Sequence, residues 1–379
     1  MFFLLLQLLA SVYFIQCKQY LLTPKNNNGN LHLLSQELGL ENVIINEHLS
    51  VYTASEKNIK QYKHTLSHLY DIEEDQPVTI NDNSFTLDIN VADAPWHLDR
   101  VAKRNLPLDG TYNYSTTGSC HMSSETEIYT YIVDTGIDIS HNEFENRAYW
   151  GMNFADDKDT DCNNHGTHVA GIIGSRSYGV CKDANLIAVK VLDCDGSGSY
   201  SSVLRGLDWA YQHHKQMSKS KKTKSIINMS LGGGYSRIIN KLVNSIIEND
   251  DNTYVVVAAG NEDQDACNVS PASSLALTVM ASDKYDSRAW FSNWGKCADI
   301  YAPGVDIMST IPHNKVATYS GTSMSSPVVA GIVNHYVDMY PKMNMKKLKE
   351  QLVKDSTQKV VKGTKSNTSN NLVFLTRSV

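Results

Sequence analysis

Thr253-Tyr-Val-Val-Val-Ala258-Ala-Gly260-Asn261 decides the fold. Its first six residues form a continuous apolar run, which suits a strand covered on both faces, as in a parallel sheet. Similar runs stand at 129–133, 186–191, 225–229 and 276–281. Helices are expected from His165, over 201–215 and over 235–248. Strands and helices in that order predict an α/β unit whose helices cover a mostly parallel sheet. A further helix is expected from Thr322 to about Tyr340, stopped by Pro341, and a last one over about 346–355. The polar tail beyond it holds one strand-like run, 372–375, and the chain contains no internal repeat.

Ahead of this unit, which begins near Asp93-Ala-Pro-Trp96, lies a smaller one. Residues 18–88 read as α+β, with a helix at 31–39 and strands at 42–46, 49–53, 78–80 and 85–87. Ser55 is placed to cap a second helix running through Tyr70, with Glu56 and Lys60 as an i,i+4 pair. Glu73-Glu-Asp75 reads as part of a turn. Residues 1–17 are apolar and short, with the first charge at Lys18, as in a secretory signal peptide cleaved near 16–20. The basic start of such a peptide is missing. The run is too short to span a bilayer comfortably, so no stable membrane insertion is expected.

The net charge of −6 gives no reason to expect a nucleic-acid partner. The basic run 219–224 lacks interleaved aromatic residues and reads as a solvated loop after a helix. Seven cysteines become six if cleavage removes Cys17. In an exported chain six suggest disulfides, with 15 pairings open; buried free thiols are the alternative. Sequons stand at Asn113, Asn228, Asn268 and Asn367. Asn228 follows a strand and should be too buried for glycosylation, whereas Asn113 and Asn367 lie in polar stretches.

Three segments carry reactive side chains at element boundaries. Asp134 follows the strand ending at Val133, and ligands of open α/β sheets gather outside the C-terminal strand ends. His165 precedes a helix whose small residues (Gly166, Ala170, Gly171, Gly174) permit close approach to the sheet. Ser323 opens the helix after Gly321-Thr322. Asn261, after Ala259-Gly260, offers a side-chain amide donor. Taken singly, Asp134 is also a turn former, Ser323 a capping residue and Asn261 a polar turn residue. Together they supply an oriented imidazole, a hydroxyl and an oxyanion donor, the requirements of acyl transfer. His168 is read as a packing residue. His165-Gly-Thr-His168 lacks the i,i+4 spacing and central Glu of a zinc protease helix.

Val133-Asp-Thr-Gly136, His165-Gly-Thr-His-Val-Ala-Gly171, Asn228-Met-Ser-Leu-Gly-Gly233, Ala258-Ala-Gly-Asn261 and Gly321-Thr-Ser-Met-Ser-Ser-Pro327 resemble the motifs of subtilisin-like serine proteases. The chain order Asp, His, Ser is the order known for that family, and it belongs to the resemblance rather than to the spacing. Ala94-Pro-Trp-His-Leu98, Ser270-Pro-Ala-Ser273 and Phe291-Ser-Asn-Trp-Gly295 resemble its proteinase K-like branch.

The resemblance implies a subtilisin-like mostly parallel sheet flanked by helices over 89–379, preceded by an inhibitory and chaperone propeptide over 18–88 that is cut off between about 85 and 94. It implies catalytic roles for Asp134, His165, Ser323 and Asn261. It implies a serine endopeptidase that acts on proteins and peptides, is made as a secreted zymogen and is monomeric when mature. Vacuolar retention is the alternative address. Ser230-Leu-Gly-Gly233 would pair with extended substrate, and with Ala258-Ala-Gly260 it would favour an apolar or aromatic P1 side chain. Disulfides Cys162–Cys194 and Cys267–Cys297 are implied, with Cys120–Cys181 as the remaining pair. A structural Ca²⁺ held by Asp299 and the backbone carbonyls of Leu275 and Leu277 is implied, Leu275 replacing the branch's usual Pro. No cofactor is needed for the chemistry. Ser325 stands where Ala is usual and adds only a hydroxyl. The competing readings are a selective maturation protease with few targets and a catalytically silent binding protein.

Overall fold

The structure is a computed structural model that describes residues 18–26, 31–46, 49–80, 84–86, 94–112 and 126–376. The expected signal peptide, Asn113, Cys120 and residues 87–93 lie outside the described residues. The chain divides into two units, 1–75 and 76–379.

The first unit comprises β1 (Gln19–Pro24), α1 (Leu31–Glu37), β2 (Glu41–Ile45), β3 (Ser50–Ser55), α2 (Glu56–Gln61), α3 (Lys63–Leu69) and β4 (Tyr70–Glu74). Its sheet is antiparallel in the order β2-β3-β1-β4. Leu22, Tyr52, Leu66 and Tyr70 form its core. Ser55 caps α2 by accepting from Asn58 N–H, and Glu56 and Lys60 pair at 2.6 Å. The single helix expected here is two. Tyr62 leaves helical geometry (φ −113°, ψ 23°), and Tyr70 is extended, its ring edge-on to Tyr52. Glu73 and Glu74 belong to a strand rather than a turn, because β1 offers them ladder partners in Leu21 and Tyr20.

The second unit holds β5 (Pro77–Ile80), β6 (Ser84–Thr86), α4 (Trp96–Val101), β7 (Glu127–Asp134), β8 (Ala148–Asn153), α5 (His165–Gly174), β9 (Asn185–Lys190), β10 (Ser197–Ser199), α6 (Tyr200–Met217), β11 (Thr223–Met229), β12 (Leu231–Gly234) and α7 (Arg237–Asn249). It continues with β13 (Thr253–Ala258), β14 (Val269–Ser270), β15 (Leu277–Ser282), β16 (Ile300–Pro303), β17 (Ile307–Ile311), β18 (Lys315–Ser320), α8 (Thr322–Met339), α9 (Met345–Asp355), β19 (Thr357–Gln358) and β20 (Asn371–Leu372). The large sheet runs β19-β20-β16-β15-β13-β11-β7-β9-β8, parallel from β20 to β8. Only β19 is antiparallel to its neighbour.

The strands alternate their faces. Ile128, Ile132, Ile226, Val256 and Val279 share one core with residues of α5 and α8. Tyr131 turns to the other face, against Trp209 and His213 of α6. The expected solvated run 219–224 is solvated only to Lys222. Thr223 and Lys224 are buried in β11, where Lys224 Nζ donates to Tyr254 Oη at 2.9 Å. Burial lowers the Lys224 ammonium pKa to about 8. Among the described residues no helix is long and apolar enough to cross a membrane.

Strand order reverses between β7 and β11: β9 and β8 lie to one side, and β13, β15 and β16 to the other. Such a reversal opens a crevice beyond the C-terminal strand ends. Asp134 ends β7 there, and Ser230 follows the end of β11. Beside the crevice is a smaller sheet, β10-β5-β12-β14, in which β5 is antiparallel to both β10 and β12. Thr79 pairs with Ser197 and Gly232, and Ile80 with Leu231. β6 pairs antiparallel with β18, which ends just before Gly321.

Candidate active site

Asp134 and His165 meet in the interior. Asp134 Oδ1 lies 2.7 Å from His165 Nδ1, and neither side chain reaches solvent. The same oxygen accepts from Thr135 N–H at 2.7 Å. This fixes Nδ1 as the donor nitrogen and leaves Nε2 as the basic one.

His165 sits at the first position of α5, after Asn164 in a left-handed conformation (φ 95°). The helix approaches the β7 loop so closely that a Cβ at Gly166 would lie 2.1 Å from the Gly136 carbonyl oxygen. Three residues hold this junction. Thr135 Oγ1 donates to Asp161 at 3.0 Å and accepts from Gly166 N–H at 2.9 Å. Asp161, 3% exposed, also accepts from the N–H groups of Asn163, Asn164 and Thr167 and from Thr167 Oγ1. Burial pushes the Asp161 carboxyl pKa up, against these donors. Lys190, wholly buried, donates to the carbonyls of Thr135 and Leu192 at 2.9 and 3.0 Å and pairs with Asp156 at 3.3 Å. The Cys162–Cys194 disulfide ties the segment before His165 to the loop after β9.

Ser323 is the second residue of α8, a helix buried as far as Asp338. Its hydroxyl donates to the Ser230 carbonyl at 3.0 Å, and Ser230 Oγ donates back to the Ser323 carbonyl at 2.8 Å. Behind them Asn228 Nδ2 donates to Ser230 Oγ, and Ser326 Oγ to Asn228 Oδ1. Asn228 is thus buried and engaged, as its position after a strand suggested; Asn367 is exposed.

Asn261 joins the same helix start. Its Oδ1 accepts from Thr322 N–H at 2.9 Å and Thr322 Oγ1 at 2.8 Å, which turns the amide nitrogen to the opposite side. Gly260, at φ 100°, leaves room for Asn293, whose Nδ2 would lie 2.3 Å from a Cβ there. Asn293 braces the turn by donating to the Ala259 carbonyl and accepting from Glu262 and Gln264 N–H.

Asp134 and His165 are thus directly joined, while Ser323 and Asn261 are brought to one helix start. His168 is a packing residue. It is buried, stacked on Tyr319 at 4.3 Å and bonded to the Ala317 carbonyl, and burial lowers its pKa to about 3. The Ser325 hydroxyl is accommodated by donation to the Ala302 carbonyl. The supporting roles of Asp161, Lys190 and Asn293 were not read from the sequence. A charge inside the apolar run ending β9 signals Lys190, and an Asp just before a helix start signals Asp161. Asn293 has no comparable local signal.

The Cys267–Cys297 disulfide is also present. Cys181 is also disulfide-bonded, while Cys120, its expected partner, lies outside the described residues.

The expected calcium ligands do not fit that ion. Lys349 Nζ lies 2.8 Å from Asp299 Oδ2, 2.9 Å from the Ala276 carbonyl and 3.4 Å from that of Leu275. The acceptors therefore already surround a positive charge, and the Leu277 carbonyl is not among them. Elsewhere Asp156 lies beside Cys162 and Cys194, but sulfurs joined in a disulfide are not thiolate ligands.

Peptidase S8, the subtilase family, matches residues 126–372. Cerevisin of Saccharomyces cerevisiae is 42% identical over 303 residues, 74% of this chain and 46% of cerevisin. The subtilisin-like serine protease Rho m 2.0101 of Rhodotorula mucilaginosa is 41% identical over 315 residues, 78% of this chain and 89% of that protein. This chain thus spans less than half the length of cerevisin. The crystal structure of a cold adapted subtilisin-like serine proteinase superposes with a TM-score of 0.69 at 38% identity, over 76% of this chain and 100% of that one. With the family matched across the whole sheet and both ends of the crevice, the chain belongs to the subtilase family of serine proteases.

Proposed function

We propose that the chain is a serine endopeptidase in which Ser323 is the nucleophile, His165 the general base and then acid, Asp134 the group that orients the imidazole, and Asn261 an oxyanion donor. The observation that carries this reading is the buried 2.7 Å Asp134–His165 hydrogen bond beside the helix start that bears Ser323. Rotation about χ1 turns the hydroxyl from the Ser230 carbonyl to His165 Nε2. Nε2 takes the proton as Oγ attacks the substrate carbonyl. Asn261 Nδ2 and the Ser323 N–H stabilise the oxyanion. The imidazolium, held by Asp134, protonates the leaving amine, and water repeats the cycle on the acyl-enzyme.

Substrate enters as an extended strand along β10 and β12, read mainly through its backbone. Leu231, Ala258 and Ala259 are small or apolar and buried, which supports an apolar or aromatic P1 preference. β5 lies in that strand position, which supports reading residues 18–88 as an inhibitory propeptide. The apolar residues 1–17 support export, and the mature enzyme acts on proteins and peptides as a monomer.

Expression of the full chain beside Ser323→Ala tests the reading. The parent chain should release a shorter mature form, react with a serine-directed phosphonate and hydrolyse an unstructured protein. The variant should do none of these. Equal processing of both chains would reject the autocatalytic mechanism.

A further inference from the structure

We infer that Lys349 is a built-in replacement for a bound metal ion, so that the loop–helix junction at Leu275, Ala276 and Asp299 is held by the chain's own ammonium and is independent of calcium. An ammonium has three protons and no acceptor. The oxygens of Asp299, Ala276 and Leu275 take one each, at 2.8, 2.9 and 3.4 Å. The three acceptors come from two separate parts of the chain, the segment leading into β15 and the residue before β16, and the donor comes from α9.

The surroundings are built for this contact. Thr278 N–H donates to the same Asp299 oxygen at 2.8 Å, and Asp299 N–H donates to the Thr278 carbonyl at 2.9 Å. Carboxylate and strand therefore hold each other in register. Leu275 N–H donates to Asn244 Oδ1 of α7 at 2.7 Å, which turns the loop's carbonyls toward α9. On α9, Leu348 and Leu352 are buried in the core, so Lys349 projects from a docked helix rather than a mobile one.

Charge and coordination both oppose a metal ion in the same place. Ca²⁺ takes six to eight oxygens at about 2.3–2.6 Å. Here one carboxylate and two carbonyls surround a single positive charge. Lysine and aspartate sum to zero, whereas a divalent ion on one carboxylate leaves a net charge of +1. An ion entering the cradle would have to displace Lys349, and the ammonium would then lose three partners in a partly buried position.

The test is the calcium increment in Tm, measured in millimolar CaCl₂ against excess EGTA, and the part of it that Asp299→Asn removes. It is read on the full chain carrying Ser323→Ala, so that autolysis does not intervene. In that chain the Asp299-dependent increment should be indistinguishable from zero. Lys349→Met clears the cradle while keeping the side chain's length. With calcium about 100-fold above its Kd, that variant should gain about 4 °C, a gain that Asp299→Asn abolishes. An Asp299-dependent gain of that size in the chain that keeps Lys349 would overturn the inference. So would a folded Lys349→Met variant with no gain. If Lys349→Met does not fold, the comparison of the Lys349 chain with and without Asp299→Asn still decides.

Discussion

Thr135 Oγ1 links the loop after β7 to the start of α5, donating to Asp161 and accepting from Gly166 N–H. The proposed catalytic side chains themselves were legible in the sequence, because each occupies a boundary that pattern reading detects. Their supports were not, since Asp161 and Asn293 act through bonds to backbone that only the folded chain supplies. Asp161 is a positioning residue, and its removal should act on the rate. Asp161→Asn places an amide N–H against the donors that now converge on the carboxylate. We expect kcat to fall by about 100-fold, with KM within about threefold, well below the unfolding temperature. Thr135→Val removes the hydroxyl at the centre of the link, so the two losses should be less than additive. A lower Tm with unchanged kcat would leave Asp161 a structural residue only.

At the scale of elements, the five apolar runs became neighbouring strands of the large sheet, and the helix from Thr322 ended within a residue of its expected limit. What escaped was pairing. Short strands such as β10 and β12 hold only three and four residues, with Gly and Ser prominent, and are defined by pairing with β5 and, for β12, also with β14. The register of β5 has a chemical consequence. Ile80, the last residue of β5, is opposite Leu231, the residue after Ser230, whose carbonyl receives the Ser323 hydroxyl. The first autocatalytic cut is therefore expected between Ile80 and Ser84, where β5 ends and β6 begins, upstream of the 85–94 interval that family resemblance implied. N-terminal sequencing of the earliest product checks this. A first product beginning beyond position 84 would contradict the register.

At the scale of the whole molecule, two buried histidines couple stability to acid. Burial lowers the His97 pKa to about 4 and that of His168 to about 3, with Lys182 near the first and His165 near the second acting in the same direction. In the unfolded chain each protonates near pH 6.5. Between that value and the folded pKa the unfolded state binds more protons, so stability falls as pH falls. The contribution is complete above about pH 6.5. It is lost through the window down to about pH 4 for His97 and about pH 3 for His168, at about 1.4 kcal/mol per unit for each. Denaturant midpoints of the full-length Ser323→Ala chain should drop between pH 7 and 5, and His97→Gln should make the slope shallower. A flat profile in the parent chain would exclude the coupling.

The buried course of α8 also sets an order of events in time. Asp134 and Ser323 are 189 residues apart, and the proposed nucleophile arrives on a helix whose residues are buried as far as Asp338. During synthesis the aspartate and histidine emerge long before the serine. The serine reaches its place as α8 packs against β11, β13, β15 and β16. No nascent fragment that lacks this helix carries the proposed nucleophile, so a chain that cleaves itself as proposed does so only after α8 has been made.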